Sequence, residues 1–138
     1  MTPARWSTVR TIARWLLAGF MGVAGLGHLV FTEEFRAQVP SFLPLQTTLI
    51  VATGFLEIGF GVALVAWRSR RRQIGWALAL YLVLVFPGNV AQAVQGTDLF
   101  GLDTDLERWA RLAAQPVLIL WALWCTGAWP RADDAVTT

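Results

Sequence analysis

Six side chains in this sequence combine useful chemistry with surroundings that demand an explanation: His28, Glu57, Asn89, Gln92, Arg111 and Gln115. Each sits within or at the edge of a long apolar run. Ionisable and amide groups in such a setting are costly, so each needs a partner or a task. Glu57, between Leu56 and Ile58, is a candidate proton donor or acceptor, because a desolvated carboxylate either takes up a proton or finds a cation. His28, the one histidine, is suited to exchanging protons near neutral pH. Arg111 presents a planar fork of donors to an anionic or carbonyl oxygen. Asn89 and Gln115 can orient a ligand through their amides, and Gln92 is the least compelling of the six because it can equally face the outer interface. These residues suit a lipophilic molecule with polar oxygens. A quinone meets that description: an apolar ring, carbonyl oxygens that need donors, and a reduction that takes up protons. A lipid-modifying reaction with Glu57 as acid or base is equally compatible.

What is missing narrows the chemistry further. A single cysteine, Cys125, allows no intrachain disulfide and no dithiol redox pair. One histidine with one carboxylate at a different depth is not a metal coordination set, so no metal is expected; only a haem shared by His28 from two copies is conceivable. No flavin or nucleotide fingerprint is present. The chain is therefore expected to have no intrinsic cofactor, and electron transfer would need a partner protein or a diffusible quinone. The plainer reading is that the amides are interhelical glue worth roughly 0.6 kcal/mol each, that His28 is merely interfacial, and that Glu57 forms a structural ion pair with Arg111.

The elements that must position these groups follow from composition. Hydrophobic residues make up 56% of the 138 and charged residues 14%, too few to cover a water-soluble core. Apolar stretches of roughly 20 residues, the length that spans hydrocarbon, run over about 12–31, 45–67, 74–94 and 109–129. In lipid the backbone must satisfy its own hydrogen bonds, so these are helices. The expectation is one all-α domain: an antiparallel bundle of four transmembrane helices. A cleaved signal peptide is the alternative for the first stretch, with Arg5, Arg10 and Arg14 as its basic region and Gly25-Leu26-Gly27 as its cleavage site.

Arginine placement sets the expected orientation. Arg5, Arg10, Arg14, Arg68, Arg70, Arg71, Arg72 and Arg131 fall on one side, and Arg36, Arg108 and Arg111 on the other with most of the acids. The positive-inside rule puts both termini in the cytoplasm, with the protein in the plasma (inner) membrane. Trp15, Trp67, Trp76 and Trp129 then form an inner aromatic belt, with Trp109 near the outer one. Counting 1.5 Å per residue from the outer boundary, Arg111 lies about 3 Å deep, His28 about 5 Å, Asn89 about 8 Å, Gln115 about 9 Å and Glu57 roughly 18 Å. The polar groups thus concentrate in the outer half, and the inner half is expected to be almost purely apolar.

Local spacing suggests how the helices meet. Gly54, Glu57 and Gly61 share one face, and Gly22, Gly25 and His28 form a comparable stripe, which permits close approach. Pro87 and Pro116 should bend their helices and free carbonyls at Val83 and Leu112. The segment Thr32 to Pro44, with Phe35, Val39, Phe42 and Leu43 among its residues, suits a piece lying in the interface or folding over the outer mouth. The loop from Gln95 to Leu106 is acidic.

At these residues the sequence resembles the DoxX family of small four-helix membrane proteins. The matching pieces are Gly25-Leu26-Gly27-His28 followed by Phe35, then Val39-Pro40 and Leu43-Pro44, Thr53-Gly54-Phe55-Leu56-Glu57-Ile58-Gly59, the Arg70-Arg71-Arg72 turn, Val85-Phe86-Pro87-Gly88-Asn89, and Arg111-Leu112 with Gln115. Gly88 stands where the family favours alanine, and Ala113-Ala114-Gln115 replaces a more usual Pro-Leu-Gln. The resemblance implies a four-helix bundle with polar residues converging between the helices. It also implies links either to membrane redox systems, thiosulfate–quinone oxidoreduction and thiol-stress complexes among them, or to receptor-assembly chaperones. Two function classes follow: a site for a lipophilic small molecule such as a quinone or lipid, and a non-catalytic membrane subunit or assembly factor that docks partner proteins.

Overall fold

The computed structural model describes residues 3–36, 39–96 and 104–130, with only the backbone for residues 3–6. Arg131, and Asp98 and Asp103 of the acidic segment from Gln95 to Leu106, lie outside the described residues, as does the Arg5 side chain. The described residues are helical with no strand. They form α1 (Pro3–Val30), the short α2 (Thr32–Phe35), α3 (Gln46–Ala66), a 3-10 turn (Arg68–Arg70), α4 (Arg71–Gln95) and α5 (Asp105–Thr126). The helix boundaries of α3, α4 and α5 fall within a few residues of the apolar runs. α1 begins well before Ile12, because nothing between Pro3 and Ile12 breaks a helix and proline is tolerated in a first turn.

Three of these helices are long and apolar enough to cross a membrane: Ser7–Val30, Gln46–Ala66 and Arg68–Gln95. α5 differs because Asp105, Glu107, Arg108 and Arg111 occupy its first two turns, which shortens its apolar run. Large apolar side chains cover the outside, among them Val23, Phe55, Val62, Leu80, Leu84, Val117 and Leu120. Trp15, Trp67, Trp76, Trp109 and Trp129 are also outward and exposed.

α1 packs most extensively on α3, and α4 on α5; α1 meets α5 and α3 meets α4 over smaller areas. All four contribute to one core, with Leu17 and Met21 from α1, Leu64 from α3, Leu78 and Leu82 from α4, and Ala122 from α5. The α1–α3 contact is close because glycines face each other. A Cβ on Gly25 would lie 2.5 Å from the Gly54 carbonyl oxygen, and one on Gly54 would lie 2.9 Å from that of Gly25. Further along, Gly61 lies against the Ala18 carbonyl. Gly22, expected in this stripe, has open space where its Cβ would be, so it takes a lesser part.

α5 starts with a reciprocal cap: the Glu107 N–H donates to Thr104 Oγ1 at 3.3 Å, while Thr104 Oγ1 and N donate to Glu107 Oε2 at 2.7 and 3.2 Å. The Thr104 hydroxyl and N–H hold the Glu107 carboxyl below its ordinary value, with nearby Arg108 assisting. A depressed folded-state value means that this support is complete above the ordinary carboxylate range and is lost as pH falls through the lowered value. Amide exchange at residues 105–108 should therefore accelerate on acidification, and Thr104→Ala should remove that pH dependence.

Candidate functional site

Three helices deliver one side chain each to a shared point. Glu57, on the glycine face of α3, is 8% exposed. The Tyr81 hydroxyl of α4 donates to its Oε1 at 2.9 Å, and His28 Nδ1 of α1 lies 3.1 Å from its Oε2. The same His28 nitrogen is 2.9 Å from the Ala24 carbonyl oxygen, one turn back on α1. Two oxygen neighbours on one nitrogen assign the hydrogen to Nδ1. That hydrogen aligns better with the Ala24 carbonyl, so Oε2 is left without an aligned donor among the described residues. The carboxylate is held firmly on one oxygen and loosely on the other, where it faces an imidazole.

The roof of this cluster comes from the segment after α1. Phe35, at the end of α2, stacks on the His28 ring at 3.9 Å with the planes 19° apart. Of the segment expected to lie in the interface or to fold over the outer mouth, Phe35 lies against this cluster. Phe42 and Leu45 turn outward instead, and Leu45 adopts a left-handed backbone (φ 59°) to start α3.

The other four predicted residues gather separately, between α4 and α5. Asn89 Nδ2 donates to Gln115 Oε1 at 2.7 Å, and Gln115 Nε2 donates to the Leu82 carbonyl at 2.9 Å. Arg111 Nη1 donates to Gln92 Oε1 at 2.9 Å. Gln92 does not face the interface as its position suggested: it is 4% exposed, turned inward to meet Arg111. Arg111 donates to this amide rather than to Glu57, whose close partners are Tyr81 and His28. The carbonyl that accepts in the Pro87 region is Leu82, one residue before the Val83 expected, because Leu82 is buried towards α5 and Val83 faces outward.

Two buried polar side chains were not among the six candidates. Tyr81, the only tyrosine, lies roughly 20 Å below the outer end of its helix at 1.5 Å per residue, the same depth as Glu57; that coincidence was the available signal. Arg14 is the second. It is 3% exposed, so the half opposite His28 is not purely apolar. Its place at i+4 from Arg10 was the signal.

A groove of about 510 Å³ opens between α3 and α4, lined by Phe55, Gly59, Phe60, Ala63, Trp67 and Ile74 among others. It is apolar and lies towards the Arg68–Arg70 turn rather than towards His28. Phe60 joins it to the cluster, since its ring packs at 5.4 Å from that of Tyr81. Among the described residues no three of His, Cys, Asp and Glu come together to hold a metal.

No curated protein and no solved structure matches the chain. Residues 17–126, which carry both polar clusters and the whole of the groove, match the family described as a domain of unknown function (DUF8561), and the chain belongs to that family.

Proposed function

We propose that the chain crosses the plasma membrane four times as an antiparallel bundle with both termini cytoplasmic, and that it binds a small lipophilic molecule, such as a quinone or a lipid, whose protons pass through Glu57 and His28. α5 supplies the fourth crossing: beyond Arg111 it is apolar, and it packs on α4 and α1. The observation that carries the reading is the buried Glu57, shared by three helices and separated from an apolar groove by the Phe60–Tyr81 contact. The ligand's apolar body lies in the groove, and its polar oxygens approach Tyr81 and Glu57. Quinone reduction takes up protons, and electrons come from a partner or a diffusible carrier. This fits the resemblance to DoxX proteins and their membrane redox setting.

The test is mass spectrometry of lipophilic molecules retained by the purified protein, with affinity measured by re-addition. Glu57→Gln should weaken retention roughly tenfold or more, the scale of a lost hydrogen bond to a charged group. Gly59→Phe should abolish retention without lowering thermal stability, because a Cβ at Gly59 meets nothing within 4 Å and the new ring fills the groove. Unchanged affinity in both variants overturns the proposal.

A second reading has its own observation. Asn89 bonds Gln115 and Arg111 bonds Gln92 across the α4–α5 contact, which suits side chains that fix helix packing in a non-catalytic subunit or assembly factor. Arg111→Ala tests whether the α4–α5 cluster serves packing. Loss of ligand assigns Arg111 to the binding site, whereas lowered stability with ligand and partner pull-down intact assigns it to packing.

A further inference from the structure

The end of the molecule opposite His28 holds a concentration of positive charge that membrane orientation alone does not explain. Exposed arginines at a membrane boundary are ordinary, and Arg68, Arg70, Arg71 and Arg72 are exposed in this way. Arg14 is different. Its side chain is 3% exposed, its Nε is enclosed with no acceptor, and no carboxylate or carbonyl among the described residues receives a hydrogen bond from it. The charges of Arg68 and Arg71 bear on it, which adds repulsion to the cost of enclosure. Arg10, one turn earlier on the same face of α1, points inward as well: its guanidinium stands 5.9 Å over the Trp124 ring, and its Nε is enclosed without an acceptor among the described residues.

The surroundings hold these groups in place. Trp121 Nε1 donates to the Ala13 carbonyl at 3.1 Å and fixes α5 against α1 beside Arg14. Gly75, one turn into α4, lies against Thr126 of α5, which brings the start of α4 to the same end. The first turn of α4 has no acidic residue and no side-chain cap, so its backbone N–H groups add to the positive field. A buried guanidinium with no counter-charge is unfavourable unless a charge is supplied from outside, and guanidinium forks match phosphate oxygens in geometry.

We propose that this end binds a phosphate-bearing anion seated on Arg14, with Arg10, Arg68 and Arg71 as further donors. The shared chemistry is a phosphate oxygen, carried either by an anionic lipid headgroup or by a free phosphate. The site is independent of the Glu57 cluster and of any ligand bound there.

The protein is melted in phosphate-free maltoside micelles alone, in the same micelles with phosphatidylglycerol, and in the same micelles with inorganic phosphate in the buffer. A rise in melting temperature with phosphatidylglycerol only assigns a lipid headgroup, and an equal rise with inorganic phosphate assigns a soluble anion. Either result supports the site provided that Arg14→Gln weakens the apparent affinity roughly tenfold or more. Because Arg14→Gln can fail to fold, Arg68→Gln/Arg71→Gln provides the same test from exposed positions. Arg70→Gln/Arg72→Gln removes equal charge from the same region and should leave the response intact. Equal losses in both pairs would show diffuse surface attraction and overturn the proposal. Absence of any response overturns it too, and a lower melting temperature in Asp133→Asn/Asp134→Asn would then identify the chain's own tail as the counter-charge.

Discussion

Gly54→Val drives α1 away from α3 and lowers the melting temperature of the purified protein on the order of 10 °C or more. The added atoms meet the Gly25 carbonyl oxygen, His28 Cβ and the end of Leu29 within 3.1 Å. Backbone cannot yield as a flexible side chain can, so the cost falls at or above the upper end of the about 1–3 kcal/mol typical of overpacking. The displacement also carries His28 away from Glu57, so by the proposed function ligand retention should fall together with stability. Gly19→Val is the control: Gly19 is exposed, with nothing within 4 Å of its Cβ position, and its melting temperature should be unchanged. An equal loss in both variants, followed by tryptophan fluorescence, would refute the close glycine contact as the cause.

Tyr81→Phe removes the one aligned donor that Glu57 has among the described residues. The ring and its contact with Phe60 remain, so the change isolates one hydrogen bond. Leaving the buried carboxylate oxygen unsatisfied is expected to cost about 1–3 kcal/mol. Glu57→Gln offers the phenol an amide oxygen in place of the carboxylate and should be milder. If the two residues act as a unit, the double variant will be less damaged than the sum of the single ones, by roughly 0.5–3 kcal/mol in a thermodynamic cycle. Strict additivity would show that the two side chains do not interact in solution. By the proposed function, Tyr81→Phe also slows proton exchange with a bound quinone, because it disturbs the carboxylate that gives and receives the proton.

Much of the helical layout was legible in the sequence, because long apolar runs in lipid leave the backbone few alternatives. The glycine face of α3 was legible too: Gly54 and Gly61 flank Glu57 at helical spacing, and the close approach to α1 at Gly25 follows. That Glu57 would draw groups from other helices could be argued from the cost of an isolated buried carboxylate. Which groups answer it could not. Tyr81 reads as one more aromatic residue in an apolar run, and only its depth marks its hydroxyl as a donor. Arg111 reads as the natural counter-ion, yet Gln92 lies one turn from Asn89 on α4 and reaches it first. Arg14 reads as flanking charge until α1 is seen to begin at Pro3, which places residue 14 well inside the helix and among its packed neighbours. The partition into two polar clusters depends on how α4 is rotated between α3 and α5, and side-chain spacing on one helix carries no information about that rotation.

The stacking of Phe35 on His28 has a kinetic consequence. The imidazole is the group beside Glu57 nearest the α2 end, and an aromatic ring shields it from water. The short α2 is thereby tied to α1 through this ring pair, so undocking of a four-residue helix uncovers one face of the imidazole. Phe35→Ala would leave that face open at all times, and amide exchange across residues 32–35 would quicken.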